Sequence, residues 1–597
     1  MSTYRLNPVR PQLNFTLIPA ALLFLSSVAG GWLAGGCSGG SSTPGGPGAT
    51  VGGSGGGSSG GSGGSSPVGS GSGGSSGGSS GGGTTGSSGA AGSSSGGGSS
   101  GGGGSSGGGG GGAGSGGATT GVNSGAGPWG TPVMGGPTPS GTMVTGTVTI
   151  NRAMITGTIG PGFQGFSVEK THLTNASLTG SNASLIALYK LIGPVNLRIG
   201  ANDVERCTWV ATTPYPNGGQ PSGQPFGHTI GSVMVDGLND LLTASGAKVI
   251  YGLNYSLNQP ANDAAEATYA SPKLGTNLIG FEIGNELDKY GTWASERSQW
   301  EGLATAVVNA VPSATFVGMA ATAGGPASHN VPFAANESAT FPGKLLLLTQ
   351  HYYLGPAGTA GAGVTALQTI KADIPTIAAT MNTAATGNHI PQGYRFGEGN
   401  TFFGHGQPGV SNALIAGLWA IDFEFTIAQH GASGVNFHGG ETGQDGTLPF
   451  VYTPITENNG MVTGTQPIYD GMLAVYLAGQ GNLLATNVTT SNPNFTAYAL
   501  DYTTDGSTSV ILNNKNATTG VQVTVDVGAA VTSASAIYLE GTPAGSLTAP
   551  AASVTLAGAS VTAQGTWARN PPFIQSTMGN TVSVFVPPAS AALVRVK

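Results

Sequence analysis

The sequence predicts an α/β protein: a TIM-type (β/α)8 barrel with a C-terminal β-sandwich domain, preceded by a disordered Gly/Ser linker. Three observations lead there. Eight short apolar runs alternate with helical stretches between residues 163 and 437. Beyond about Tyr469, helical periodicity gives way to short Val/Thr/Ala strands with Gly and Asn turns. Gly and charge are also unevenly divided. Of 109 Gly, 54 fall in the first 150 of 597 residues, and no Asp, Glu, Lys or Arg stands between Arg10 and Arg152.

Taken in chain order, residues 1–37 read as a signal or lipoprotein segment. Arg5 and Arg10 precede an apolar run from Phe15 to Ala34, the charged and apolar parts of a secretory signal. The run ends at Leu33-Ala34-Gly35-Gly36-Cys37, which resembles a bacterial lipobox with one extra small residue. Cys37 is the expected lipid anchor, and a secreted or cell-envelope lipoprotein on a membrane surface is the expected location. Residues 38–140 are Gly/Ser-rich, with too little apolar content to offset the entropy of ordering, so a disordered tether is expected. Thr-rich alternation over 141–160 reads as one or two strands joining the sandwich. The barrel is expected over 161–465 and the sandwich over 466–597. Barrel strands are predicted at 163–168, 196–200, 248–255, 278–284, 315–320, 345–352, 393–397 and 434–437. Helices are predicted at 182–192, 231–245, 295–310, 364–385 and 410–430.

Composition excludes several classes. A net charge of −7 without a Lys/Arg cluster argues against nucleic acid as a partner. Two cysteines, Cys37 and Cys207, build no disulfide scaffold, and Cys207 reads as a small core residue. The eight His are scattered without zinc-ligand spacing, so no metal is expected. No phosphate-cradling loop precedes a helix, and no cofactor is expected.

In such a barrel the chemistry sits at the C-terminal strand ends. The fourth strand ends in Phe281-Glu282-Ile283-Gly284-Asn285-Glu286, and the seventh in Arg395-Phe396-Gly397-Glu398. Two carboxylates at one mouth are what glycoside hydrolysis needs: one protonates the leaving oxygen, the other attacks the anomeric carbon. Asn-Glu after strand four with Glu after strand seven resembles the clan of retaining glycosidases built on this barrel. The stretch from Glu398 through Thr401-Phe402-Phe403-Gly404-His405 to Phe423 is similar to the nucleophile segment of glycoside hydrolase family 79, the β-glucuronidase and heparanase-like enzymes. Gly165–Glu169, Leu197–Asn202, His351-Tyr352-Tyr353 and Val435–Gly440 resemble its other strand-end motifs.

The resemblance implies that Glu286 is the acid/base and Glu398 the nucleophile, with the pKa of Glu286 raised and Glu398 ionised. Arg395 or Arg198 would keep Glu398 charged, and Tyr352 or Tyr353 would donate a hydrogen bond to it. Asn285 would meet the sugar 2-hydroxyl, while Glu169 and Asn202 would bind other hydroxyls. The partner implied is an oligo- or polysaccharide or glycoside containing glucuronic acid. Phe402-Phe403 stands where family glucuronidases carry a Tyr, which leaves Tyr452 or His438 to bind a uronate carboxylate. It also keeps a neutral-sugar exo-β-glycosidase open. A non-catalytic carbohydrate-binding protein is the further alternative. Trp209 and Trp293 read either as sugar-stacking or as core residues.

Overall fold

The computed structural model describes residues 130–597 apart from 176, 216–227, 357, 442–449 and 503. Residues 1–129 lie outside the described residues, and with them Cys37, the signal segment and most of the linker. All that follows falls within one compact unit, Ala113–Lys597.

Eight parallel strands close into a barrel: Gln164–Glu169, Asn196–Gly200, Lys248–Leu253, Leu278–Ile283, Phe316–Ala321, Leu345–Tyr353, Tyr394–Asn400 and Ala432–Gly439. The eighth pairs with the first through Val435↔Gln164 to Gly439↔Val168. Helices clothe the outside, so the strands are covered on both faces. The first, fifth and seventh are buried at every residue.

The helices depart from expectation in three places. The stretch at 364–385 is two helices, Ala360–Leu367 and Asp373–Gly387, because Pro375 suits the first turn of the second and not the interior of a continuous one. Pro260–Leu274 and Val331–Thr340 are helices the periodicity does not reveal. The first buries Asp263 and Glu266 beside Ala267, Ala270 and Leu274, so its inward face is only partly apolar. The buried ammonium of Lys170 meets Glu266 at 2.8 Å and makes that possible. Third, Pro467–Ala478 is a helix that follows strand eight and packs on the helix Leu414–Gln429. The two backbones touch at glycines: a Cβ on Gly417 would lie 2.3 Å from the Pro467 carbonyl oxygen, and one on Gly471 would lie 2.3 Å from that of Gly417. The helix Pro467–Ala478 also touches strands of the second sheet, including Thr508–Asn514 and Ser590–Val596, so it lies where barrel and sheet meet.

Eleven of the remaining strands form one sheet that curls so that its inner face encloses a single core, including Val148, Ile150, Leu512, Val523, Val584 and Val594. Thr142–Ile159 is one strand of 18 residues, kinked by register shifts between Asn151 and Gly157. It lies inside this sheet, antiparallel to Gly481–Thr490 and parallel to Thr519–Asp526. The end of the expected linker is also engaged. The Val133 N–H donates to the Pro572 carbonyl (2.9 Å), and the Ile574 N–H donates back to that of Val133 (2.9 Å). Sheet and barrel meet at a buried ion pair between Lys515 and Asp422. Asn513 Nδ2 (2.8 Å) and Thr496 Oγ1 (2.7 Å) also donate to Asp422.

Candidate active site

The C-terminal strand ends surround a cavity of about 480 Å³. Glu169, Asn202, Glu286, Tyr352, Tyr353, Glu398, His438 and Tyr452 border it. Asn285 lies just beside it, with its side-chain oxygen accepting from Arg198 at 2.9 Å.

Glu398 owes its aim to a bulge. Strand seven slips register against both neighbours around Gly397. A Cβ at Gly397 would face Thr349 at 3.0 Å and Arg198 at 3.7 Å, so position 397 already points into the barrel. In a regular strand residue 398 would then point out; the bulge turns it back in. There Glu398 Oε2 accepts from Arg198 Nη1 (2.9 Å), and Oε1 accepts from the Tyr353 hydroxyl (2.8 Å). Burial would raise its pKa, but the His438, His351 and Arg198 charges and the Tyr353 hydrogen bond override this and hold it below the usual carboxylate range.

Arg198 is fully buried and fully engaged. Beyond Glu398 and Asn285 it donates through Nε to Glu282 Oε2 (2.5 Å) and through Nη1 to Ser167 Oγ (3.2 Å). Burial disfavours its charge, but Glu282 and Glu398 more than restore it, so its pKa rises. Thr349 Oγ1 donates to the other oxygen of Glu282 (2.6 Å). Of the two arginines considered for Glu398, only Arg198 reaches it. Arg395 points to the opposite end of the barrel and donates to the carbonyls of Gly162 (2.9 Å), Phe163 (2.9 Å) and Val435 (3.0 Å). Burial there pushes its pKa down to about 9. The tyrosines separate in the same way. Tyr352 donates to Asp373 (2.7 Å) and stacks on Phe423, so it is no partner of Glu398. Strand alternation puts His351 and Tyr353 on one face and Tyr352 on the other.

Glu286 has a left-handed backbone, φ 53° and ψ 53°, a conformation uncommon for a residue with a side chain and often found at functional sites. Its N–H donates to the Ala320 carbonyl at the end of strand five (3.0 Å). Its carboxylate meets His351 Nδ1 at 3.1 Å and the Lys289 ammonium. Here an expectation fails. Burial pushes the Glu286 pKa up, as expected, but the His351 hydrogen bond and charge, with Lys289, outweigh burial and the Glu398 charge, so the net shift is downward.

One oxygen of Glu286, one of Glu398 and a nitrogen of His351 all lie within 4.8 Å of one another. Three such ligand atoms could hold a cation. Arg198 and Lys289 already supply positive charge to both carboxylates, which disfavours one.

On the other side of the cavity, Glu169 Oε2 accepts the Asp203 N–H (2.7 Å). Burial first, then the Asp203 charge, raise its pKa well above the usual range, so Glu169 can donate as well as accept. His438 stands between carboxylates, its Nδ1 3.7 Å from Glu398 and its Nε2 3.9 Å from Glu169. Burial lowers its pKa despite Glu398. Asn400 Nδ2 donates to the His438 (2.9 Å) and Tyr452 (3.0 Å) carbonyls and so fixes both residues. Asn202 Oδ1 lies 3.5 Å from Asn285 Nδ2. Phe402 is buried in the core, whereas Phe403 is half exposed at the rim. Trp209 packs on Tyr269, and Trp293 on Trp300 and Phe333; both are core residues away from the cavity. Cys207 is buried, and burial raises its thiol pKa.

Sequence reasoning assigned no role to Glu282, Lys289, His351, His405 or Phe450. His351 was within reach of it, because it shares a strand face with Tyr353. His405 and Phe450 stack (5.2 Å), and Phe450 stacks on Tyr452 (5.2 Å), forming an aromatic wall.

No family profile matches the chain. The β-glucuronidase of Neurospora crassa is 24% identical over 317 residues, covering 47% of this chain and 55% of the relative. The chain thus spans about half the length of the curated relative it matches. Among solved structures, the 4-O-α-L-rhamnosyl-β-D-glucuronidase of Fusarium oxysporum 12S superposes with a TM-score of 0.60 at 19% identity, covering 75% of this chain and 99% of that one. The GH51 arabinofuranosidase of Xanthomonas axonopodis pv. citri gives 0.54 at 15% identity, covering 76% and 100%. The fold is that of barrel glycosidases with a C-terminal sheet domain, and the chain is glycoside hydrolase-like.

Proposed function

We propose that this protein is a retaining β-glycosidase of the family 79 type, acting on a glucuronic acid-containing glycan or glycoside. The observation that carries the reading is the approach of Glu286 and Glu398, with carboxylate oxygens within 4.8 Å. Retaining pairs stand roughly 5–5.5 Å apart and inverting pairs roughly 6.5–9.5 Å, so this spacing favours direct attack by a carboxylate. Glu398, held ionised, attacks the anomeric carbon as the bond to the leaving oxygen breaks and Glu286 gives that oxygen its proton. Glu286 then takes a proton from water, which attacks the same carbon and frees Glu398. Arg198 and Tyr353 orient the nucleophile. The protonated form of Glu169 offers a donor to the sugar. The Neurospora relative supports a glucuronide.

A neutral sugar is the second reading. Phe403 at the rim carries no hydroxyl, and His438 sits between carboxylates, where it would serve them before a uronate. A panel of aryl β-glycosides decides: glucuronide cleavage well above glucoside and xyloside supports the first reading, and the reverse order the second. Product observed by NMR with retained anomeric configuration is expected; inversion would sink the mechanism. Sugar binding without turnover across the panel would leave a binding protein. Acylation of Cys37 belongs to the same proposal. In the native host, Cys37→Ala should move the protein from the membrane fraction to the soluble one, and an unchanged membrane fraction would refute it.

A further inference from the structure

We propose that Lys289 recognises an acidic leaving group, so that the substrates of this site carry negative charge on the unit released past Glu286. The proposal rests on Glu286 being the proton donor. Barrel order places strands one, two and eight together and strands four and five across the mouth from them. The first side carries Glu169, Asn202, His438 and Tyr452; the second carries Glu286, Lys289 and Thr322. The sugar attacked by Glu398 fills the side rich in hydroxyl-binding groups. The leaving group therefore departs over the other.

On that side Lys289 is the sole Lys or Arg among the described residues bordering the cavity. Its side chain is 58% exposed, so an incoming group can reach it. The neighbouring Asp288 is occupied, since it accepts both the Thr322 N–H (3.0 Å) and the Thr322 hydroxyl. The Lys289 ammonium rests on Glu286 itself.

That contact works against proton donation, because a cation favours the ionised carboxylate. The charged and titratable groups facing Glu286 are His351, Lys289 and Glu398, with Arg198, His438 and Tyr452 around them. A carboxylate or sulfate on the leaving unit would draw the ammonium away. Burial and the Glu398 charge would then oppose one cation fewer, which moves Glu286 towards its protonated form where the leaving oxygen needs the proton. Lys289 thus links the choice of substrate to the protonation of the acid.

The test uses two leaving groups of similar acidity on one sugar, 4-carboxyphenyl and 4-(hydroxymethyl)phenyl glycosides. Wild type should cleave the carboxylate about tenfold better in kcat/KM. The preference should weaken with added salt. It should vanish in Lys289→Met and survive in Lys289→Arg, with unfolding temperatures confirming that both variants fold. For the neutral substrate, the alkaline limb of the Lys289→Met pH profile should move to higher pH, a change that mere loss of packing would not cause. Equal rates on both compounds in wild type would overturn the proposal while leaving the glycosidase reading intact. A preference that persists in Lys289→Met would also overturn it. If no aryl glycoside is cleaved, the role of Glu286 fails and this proposal with it.

Discussion

Arg198 divides one guanidinium between Glu398, 2.9 Å away at the cavity, and Glu282, 2.5 Å away and sealed from solvent beneath it. The carboxylate beneath fixes the arginine, and the arginine fixes the one that borders the cavity. Glu282 is therefore a positioning residue for Glu398, acting through a group it shares.

Arg198→Met should leave both carboxylates without a cation in a buried place. The expected cost is about 3–5 kcal/mol of stability, as for other buried pairs broken on one side. Turnover should fall by about 10²–10³-fold as electrostatic support is lost. Thermal unfolding and steady-state kinetics measure the two effects; a variant of normal stability and rate would refute the shared role.

His351 sets the pH profile. Its hydrogen bond and charge help hold Glu286 low against burial, so kcat/KM of the free enzyme should begin to fall already in the acid range. In His351→Gln that restraint is gone, the Glu286 pKa rises, and the alkaline limb should move to higher pH. A limb that stays put or moves down would show that another group governs it.

Asp470 gives a stability test remote from catalysis. It is buried in the first turn of Pro467–Ala478, and burial pushes its pKa up to about 8. The unfolded value is about 3.9. A raised folded pKa gives stability that is complete below the unfolded value and is lost as pH rises towards 8. The wild-type melting temperature should therefore drop across that window. Asp470→Asn should remove this dependence, so its advantage over wild type grows from pH 4 to pH 8. Parallel curves for the two proteins would refute the assignment.

Lys515 and Asp422 form the buried pair between barrel and sheet. Lys515→Met alone should cost about 3–5 kcal/mol, because Asp422 remains buried and unpaired by charge. Asp422→Leu with Lys515→Met should recover most of that loss. Equal destabilisation in the single and double variants would mean that packing around the pair, not the stranded charge, sets the cost.

Much of the barrel is legible in the sequence because parallel strands covered on both faces read as unbroken apolar runs. Asn196–Gly200 coincides with its predicted range, and the other seven differ by one to three residues at their ends. The helix Pro260–Leu274 hides because its inward face carries Asp263 and Glu266, and the Lys170 that pairs with Glu266 comes from the helical turn after strand one, far off in sequence. At the site, Glu286 and Glu398 are visible as strand-end carboxylates. Which arginine reaches Glu398 is not, since the bulge at Gly397 reverses the facing of everything beyond it. The protonation of Glu286 is equally hidden. It depends on His351, 65 residues further along, which only the closure of the barrel brings to 3.1 Å.

The strand Thr142–Ile159 has a mechanical consequence. It enters the sheet between two neighbours, paired with Thr519–Asp526 over Thr142–Thr149 and with Gly481–Thr490 from Gly146 onward, so that one neighbour takes over from the other along its length. Force applied from the N-terminal side would run along the strand axis, across the direction of those hydrogen bonds. They would be loaded in shear and would have to fail together, whereas a strand at the edge could be unzipped one bond at a time. Pulling from that end would meet both neighbouring strands before it reached the first barrel strand at Gln164.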